Sequence, residues 1–512
     1  MHVFEIVIAL LLLGAALAAG ARRIGAPYPA LLALAGVALA LMPGVPAVTL
    51  DPELALALFV APVLLDAAFD ASPRDLREHW RPVASLALVT VAAVAVTARW
   101  LVPELPWPAA IALGAIVAPP DAAAATAVLR QLRPPHRLLV ILEGESLFND
   151  ASALLIYRLA VGAAAAGAVS GWGIVPTLLL VTVGSIVLGL ALARATLWLT
   201  ARIQDVATAV IVQFIGTFGV WILAERLHLS GILTMVVFAM SVARRAPDII
   251  PARIRIPSYA VWEVAVFLLN ALAFILVGLQ LKPILQELGR ATLVDYTRIA
   301  LTVCAVVILV RIVWAMGSHV VRGPRTAEAR RHAIVVAWCG MRGTVTLAAA
   351  LALPADFPYR DLILFTSFLV VLGTLVAQGL TLKPLMARLG LEHDDAVERE
   401  VRLARVETLR AGAAALVDGA VATEARDLLR RKYRVRLEQA EARMSGETSG
   451  ADSPGGEREY AAAARAAMAA ERRRLSALRA DGTIGDDAFH KIEEELDRAE
   501  LSAEAMDSGD EP

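Results

Sequence analysis

Thirteen apolar stretches follow one another between residues 2 and 386 of this 512-residue chain. They cover 2–20, 28–43, 53–71, 82–102, 108–130, 138–162, 174–199, 206–225, 230–243, 258–281, 296–319, 332–353 and 361–386. A bilayer core about 30 Å thick is crossed by about 20 helical residues. Within lipid, a single apolar segment satisfies its backbone hydrogen bonds by forming a helix. With 58% hydrophobic residues and a mean hydropathy of +0.65, the sequence predicts an all-α polytopic membrane protein with about 13 transmembrane helices.

Charge divides the chain into two regions. Residues 1–390 carry 29 Lys and Arg against 21 Asp and Glu, whereas residues 391–512 carry 19 against 28. We therefore predict a transmembrane domain over 1–390 and a cytoplasmic helical tail over 391–512, in which Ala and Leu alternate with Glu and Arg at helical spacing. The tail is interpreted as solvated helices that help assembly, or as a regulatory ligand site.

Basic side chains predict the orientation. Twenty Lys and Arg fall on one side of the predicted spans and six on the other, and such residues concentrate in cytoplasmic loops. An odd number of spans then places the N-terminus outside and the C-terminus in the cytoplasm. No basic residue precedes the first apolar run, which predicts an uncleaved helix, although small residues at 18–21 leave a cleaved leader as the alternative. Cys304 and Cys339 lie in apolar runs and predict neither a disulfide framework nor a metal site.

The sixth span contains the acidic run Glu143-Gly144-Glu145-Ser146-Leu147-Phe148-Asn149-Asp150. Each charge near the bilayer centre costs at least about 2.5–3.5 kcal/mol, so such residues indicate an ion or proton pathway. Asp150 lies about 18 Å into the span, near mid-membrane. At about 100° per residue, Ser146 and Asp150 share a face that can line a cavity, whereas Glu145 and Asn149 share another. We expect Glu145 to need a permanent cationic partner.

Two further spans are interrupted. Pro119 and Pro120 cannot continue the helix of the fifth span, and Asp121 follows them. A break there would free backbone carbonyls beside an acid, as in the discontinuous helices of transporters; a plain proline kink is the alternative. In the twelfth span Arg342 lies between Gly340 and Gly343.

Intramembrane charges need partners. Arg342 is expected to pair with Glu145, which lies at a compatible height; snorkelling to water is the alternative. Asp66 on the third span is assigned to the cavity or to a structural ion pair. Arg311 and Glu263 are assigned to structural pairing.

These motifs together resemble one family of transporters over residues 1–390. They are Glu143 to Asp150 with Ala151-Ser152-Ala153-Leu154, Pro120-Asp121-Ala122, Gly340-Met341-Arg342-Gly343, Phe267-Leu268-Leu269-Asn270 and Gly278-Leu279-Gln280-Leu281. The linked set is similar to a bacterial sodium/proton antiporter of the monovalent cation/proton antiporter-1 (CPA1) family. The resemblance implies an inverted-repeat fold with two broken crossing helices, a homodimer with an interface domain, and a mobile six-helix core that moves as an elevator.

The resemblance also implies roles for individual residues. The implied ion-binding and proton-binding positions are Asp150, Asn149, Ser146, Asp121 and Asp66. Of these, Asp150, Asp121 and Ser146 would contact the monovalent cation. Glu145 and Arg342 match a structural ion pair. Many relatives have Thr or Ser where this chain has Pro120, so a hydroxyl ligand is missing and the cation preference is open.

The expected function is secondary active exchange of monovalent cations, first Na⁺, for H⁺ across the cytoplasmic membrane, in the service of pH homeostasis. Asn149 beside Asp150, in place of a second acid, leaves one charge to neutralise at this pair, which together with the resemblance suggests electroneutral one-for-one exchange; titration of Asp66 or Asp121 is the alternative. No enzyme activity, cofactor or nucleic acid partner is expected. A K⁺/H⁺ antiporter, or a passive cation channel without a Gly-Tyr-Gly filter, is the alternative. An intramembrane aspartyl protease is disfavoured because no Gly-x-Gly-Asp sequence accompanies either acid.

Overall fold

The computed structural model describes residues 2–24, 27–43, 45, 51–70, 73–129, 136–166, 171–287, 290–322 and 326–390, with nine residues between 406 and 441. The chain divides into two compact units, Met1–His393 and Asp394–Pro512. In the second unit the nine described residues are helical. There Arg410 forms ion pairs with Glu407 and Glu441 at 2.9 and 2.7 Å.

All regular structure in the described residues is helical. The helices are α1 (His2–Ile24), α2 (Tyr28–Leu41), α3 (Pro52–Ala55), which continues through a π-helical turn (Leu56–Val60) into α4 (Ala61–Asp70), α5 (Pro73–Leu101), α6 (Trp107–Val117), α7 (Ala122–Leu129), α8 (His136–Ala166), α9 (Gly171–Thr200), α10 (Val206–Arg226), α11 (Gly231–Ile249), α12 (Ala252–Leu279), α13 (Leu281–Glu287), α14 (Arg290–Arg322), α15 (Ala327–Trp338), α16 (Thr344–Leu351) and α17 (Arg360–Leu389).

Helices cover each of the predicted apolar spans. Six spans in the described residues are long and apolar enough to cross a bilayer by themselves: Leu142–Ala164, Leu179–Thr200, Val206–Arg226, Ile254–Gln286, Thr292–Val321 and Arg360–Leu389. Five shorter apolar helices accompany them. The total of 13 crossings and the inverted repeat stay predictions.

Local sequence fixes several helix ends. Asp205, Ser230 and Thr326 each accept a hydrogen bond from the backbone N–H three residues later, which caps α10, α11 and α15. These side chains satisfy amides that have no partner within the helix. Gly390, with φ of +54°, follows the last residue of α17 in the left-handed conformation that glycine adopts readily.

The helices of the first unit pack as two groups. The group we name the core bundle consists of α5–α8 and α14–α17, whose members pack mainly on one another; the flanking bundle contains α1, α2, α4 and α9–α12. In the flanking bundle Gly36 of α2 lies against Gly278 of α12, and a Cβ on either would overlap the backbone of the other helix. Small residues allow this close approach, which is how helices in membranes pack without a hydrophobic driving force.

Candidate ion-binding site

Two helix breaks meet inside the core bundle. Residues 118–121 separate α6 from α7 and contain both prolines, and residues 339–343 separate α15 from α16. The backbone N–H of Asp121 donates to the carbonyl oxygen of Met341 at 2.7 Å, which joins the two breaks. The break predicted from the prolines is confirmed. The resemblance implied two broken crossing helices, and both breaks lie in the structure where the motifs place them.

Arg342 holds the carbonyl ends of these broken helices. Its side chain is 1% exposed. Nε donates to the carbonyl of Val117 at 2.9 Å, Nη2 to that of Ala118 at 3.3 Å, and Nη1 to that of Gly340. These carbonyls lie at the C-terminal ends of α6 and α15, where the helix dipole leaves partial negative charge. The positive charge of Arg342 is therefore balanced by backbone.

The predicted ion pair between Glu145 and Arg342 is wrong, because the partner of Glu145 is Arg311. The two Nη atoms of Arg311 donate to the two carboxylate oxygens of Glu145, the second at 2.9 Å, and the side chains are 2% and 4% exposed. Nε of Arg311 also donates to the carbonyl of Val336 at 3.2 Å. Both arginines pass over Gly340, where a Cβ would collide with them. The depth of a residue along its helix therefore does not predict which arginine faces Glu145. Arg311 lies in the middle of an apolar span, as Arg342 does, so the sequence marked both as candidates.

Asp121 lies at the amide ends of the other two half-helices. Its Oδ1 accepts from the N–H of Ala124 at 3.2 Å, and the N–H groups of Ala123 and Thr344 also face the carboxylate. A Cβ at Gly343 would overlap Oδ2 of Asp121, so only glycine leaves room for the carboxylate here. The N-termini of α7 and α16 carry partial positive charge, which balances this carboxylate.

Asp150 and Ser146 share one face of α8, as their spacing predicts, and are 4% and 7% exposed. The hydroxyl of Ser146 donates to the carbonyl of Pro120 at 2.9 Å. Asp150, one turn further along, lies within hydrogen-bond range of this hydroxyl and is repelled by the charge of Asp121. Among the described residues, no Lys, Arg or His forms an ion pair with Asp150.

Three other predicted residues have surroundings of their own. Asn149 donates through Nδ2 to Glu145 at 3.4 Å, and its buried Oδ1 has no partner among the described protein groups. Asp66 is half-buried on α4, has a polar interaction of its own, and lies on a helix that packs against α8 and α11. Its place in the cavity stays a prediction. Glu263 is exposed on α12 and is not the partner of Arg311.

The buried charges at the crossing are balanced in different ways. Glu145 and Arg311 neutralise each other, Arg342 is balanced by carbonyl ends, and Asp121 by amide ends. Asp150 is buried beside a hydroxyl and a carbonyl oxygen without a fixed counter-charge in the described part of the chain. Such a carboxylate is stable at this depth only when a proton or a cation neutralises it.

Comparison with known proteins identifies the family. Residues 7–388 match the family model described as sodium/hydrogen exchanger, transmembrane. The chain is 32% identical over 413 residues to an uncharacterized Na⁺/H⁺ exchanger of Mycobacterium tuberculosis, covering 77% of this chain and 76% of the relative. It is 29% identical over 428 residues to a sodium, potassium, lithium and rubidium/H⁺ antiporter of Bacillus pumilus, covering 75% of this chain and 62% of the relative.

The fold is also found in a solved structure. The sodium proton antiporter MjNhaP1 of Methanocaldococcus jannaschii matches with a TM-score of 0.60 and 20% identity, over 74% of this chain and 99% of MjNhaP1. This match supports the fold, whereas family membership rests on the family model and on the sequence relatives. This chain is a multi-pass membrane protein that belongs to the sodium/hydrogen exchanger family of cation/proton antiporters.

Proposed function

We propose that this protein exchanges one monovalent cation, foremost Na⁺, for one H⁺ across the cytoplasmic membrane, and that Asp150 binds both in turn. The observation that carries the proposal is the burial of Asp150 at the crossing without a fixed counter-charge among the described residues. Moving a bare carboxylate through a low-dielectric interior is costly. The core bundle would therefore change its access only when a proton or a cation occupies Asp150, which couples the two fluxes.

The cation site would be built from oxygen atoms. Asp150 supplies a carboxylate, Ser146 a hydroxyl, and the Ser146–Pro120 hydrogen bond at 2.9 Å brings a backbone carbonyl beside them. Hard cations prefer such ligands. Asp121 adds negative charge nearby without leaving its amide cap. Pro120 offers no side-chain hydroxyl, so K⁺ is the alternative substrate.

The exchange would be electroneutral because one group changes its charge per cycle. The other buried charges at the crossing are balanced by a side chain or by helix ends. Exchange of one Na⁺ for one H⁺ at Asp150 moves no net charge. An imposed membrane potential should then leave the rate unchanged, and a rate that follows the potential would overturn the stoichiometry.

Alternating access would move the core bundle against the flanking bundle. Arg158 lies on α8, two turns beyond Asp150, and donates to Glu225 at 2.5 Å and to the carbonyl of Leu229 at 2.8 Å. Glu225 belongs to α10 of the flanking bundle. With the N-terminus outside, this bridge is on the outer side, and displacement of α8 would break it. A homodimer formed through the flanking bundle is proposed on the resemblance.

The test is transport by protein reconstituted in vesicles that contain a luminal pH dye. Na⁺, K⁺ and Li⁺ are added separately, and saturable proton movement identifies the substrate and distinguishes exchange from a channel. Asp150→Asn should abolish the signal. The matched control is Asp295→Asn, since Asp295 is 72% exposed on α14 and its ion-pair contact within the described residues is a distant one, 3.8 Å from Arg298. Wild-type exchange by Asp150→Asn would refute the role of Asp150.

A further inference from the structure

Helix α17 carries polar side chains along one face. Ser367, Thr374, Gln378 and Thr381 are spaced by seven, four and three residues, which places them within about 60° of one another around the helix. The first three are fully buried, whereas Thr381 is exposed. The polar face therefore runs about 21 Å along the helix, from the exposed end into the interior.

This face lies against the break between α15 and α16. The hydroxyl of Thr374 accepts a hydrogen bond from the backbone N–H of Arg342 at 3.0 Å. At the exposed end, the indole Nε1 of Trp338 donates to the hydroxyl of Thr381 at 2.9 Å. The two contacts fix the register of α17 against residues 338–342, and Gln378 lies between them.

The side-chain amide of Gln378 is buried and unpaired within the part of the chain that the structure describes. Its side chain is 0% exposed, and neither Oε1 nor Nε2 has a hydrogen-bond partner among the described protein groups. The hydroxyl of Ser367 on the same face is also without one. A primary amide offers two donors and two acceptor sites. Most buried polar groups in native proteins are paired with protein or with ordered water, so an unpaired buried amide is a candidate site for a bound water.

The residue that follows Gln378 lies close to the break between α15 and α16. At the next residue, Gly379, a Cβ would lie 3.2 Å from Pro27 and 3.4 Å from the sulfur of Met341. Met341 in turn accepts the backbone hydrogen bond of Asp121. Met341 therefore lies between Gly379, the neighbour of Gln378, and the point where the two broken helices cross.

We propose that the polar face of α17 lines a hydrated route for the monovalent cation between the Trp338–Thr381 hydrogen bond and the crossing, with the amide of Gln378 as a water- and cation-binding station. The route rests on the proposed function, because it leads to Asp150. Water would satisfy Oε1 and Nε2 of Gln378, and Oε1 is an oxygen ligand of the kind that Na⁺ and K⁺ accept. Under the N-terminus-outside orientation, the route opens to the cytoplasm.

Thiol labelling tests the route without depending on transport. Gln378→Cys is made in full-length protein that carries Cys304→Ser and Cys339→Ala, and its reaction with a charged, membrane-impermeant thiol reagent is followed from the cytoplasmic side. Thr381→Cys is the exposed reference, and Leu375→Cys, at a position 1% exposed in the apolar cluster, is the dry control. The route predicts that position 378 reacts far faster than position 375 and that Asp150→Asn leaves this reaction intact. Wild-type exchange by Asp150→Asn, with labelling at position 378 retained, would count against the proposed function alone.

A second variant decides the matter if the cysteine variant does not fold. Gln378→Leu should lower the maximal exchange rate about tenfold, the effect of losing one water-mediated hydrogen bond, while Leu375→Met leaves it unchanged. A dry amide predicts the opposite: Gln378→Leu would be more heat-stable than the wild type and would exchange at the wild-type rate. That result, or equal labelling at positions 378 and 375 with rapid labelling at 381, would overturn the route.

Discussion

The buried pair of Glu145 and Arg311 offers a sharp quantitative test. Arg311→Met removes two hydrogen bonds to Glu145 and one to the carbonyl of Val336, and leaves a 4% exposed carboxylate without its cation. Breaking a buried pair by removing one partner costs about 3–5 kcal/mol. We expect Arg311→Met to lower the free energy of unfolding by that amount, which is a factor of about 10² to 5 × 10³ in the folded-to-unfolded ratio.

The double variant gives the opposite result. With Glu145→Gln added to Arg311→Met, no uncompensated charge stays buried, so we expect most of the lost stability to return. The coupling energy between positions 145 and 311 should therefore be several kcal/mol. The matched comparison is Arg158 with Glu225, whose side chains are both 39% exposed. There the coupling should be about 0–1 kcal/mol.

The assay is thermal and denaturant unfolding in detergent, followed by the fraction that elutes as a single species. The same cycle between Glu145 and Arg342 distinguishes the observed pair from the one expected from sequence. Arg342 is held by backbone carbonyls, so its coupling to Glu145 should be the smaller of the two. If positions 145 and 342 couple more strongly than 145 and 311, the charge assignment at the crossing is wrong.

Four further outcomes are expected. Ser146→Ala should raise the KM for the cation about tenfold or more, because hydrogen bonds to charged groups contribute about 1.5–3 kcal/mol; an unchanged KM in vesicle transport would remove Ser146 from the site. Gly343→Ala should abolish exchange, since its Cβ would overlap the neighbouring carboxylate, whereas Gly162→Ala, with open space at its Cβ, should exchange normally. Arg158→Gln should shift the ratio of the two access states by no more than about fivefold, measured as the change in cysteine accessibility on the two sides. Hydrogen bonds from the backbone and side chain of Thr208 lower the pKa of Asp205, the residue that caps α10. The cap therefore stabilises α10 fully above the ordinary carboxyl pKa, and this stabilisation is lost as the pH falls through the lowered pKa. Asp205→Asn should remove this acid dependence from the melting temperature.

Local chemistry made part of the site predictable. Pro119 and Pro120 each remove an amide donor and clash with the preceding turn, so two in succession favour a break in the helix. Ser146 and Asp150 are one turn apart on a regular helix, so their common face follows from the helical repeat alone. The same reasoning gave the helical spans, because the bilayer leaves the backbone no other way to satisfy its hydrogen bonds.

Lateral positions could not be predicted in this way. Arg311 and Arg342 lie at similar depth, and which of them meets Glu145 depends on how α14 and α15 pack around Gly340. For Gln378, a single amide in an apolar span gives no periodic signal of its own. Its proposed role follows from Thr374 and Thr381, which lie on the same face of α17 and form hydrogen bonds with residues 342 and 338. Such pairings are tertiary facts.

The measurement that tests the central claim most directly is proton release on cation binding. Purified protein in weakly buffered detergent solution receives Na⁺, and a pH indicator counts the protons released per chain. If one carboxylate alternates between H⁺ and Na⁺, the wild type releases one proton per chain at saturation and Asp150→Asn releases none. Equal release from Asp150→Asn, or no release from a wild-type preparation that is active in vesicles, would contradict the account.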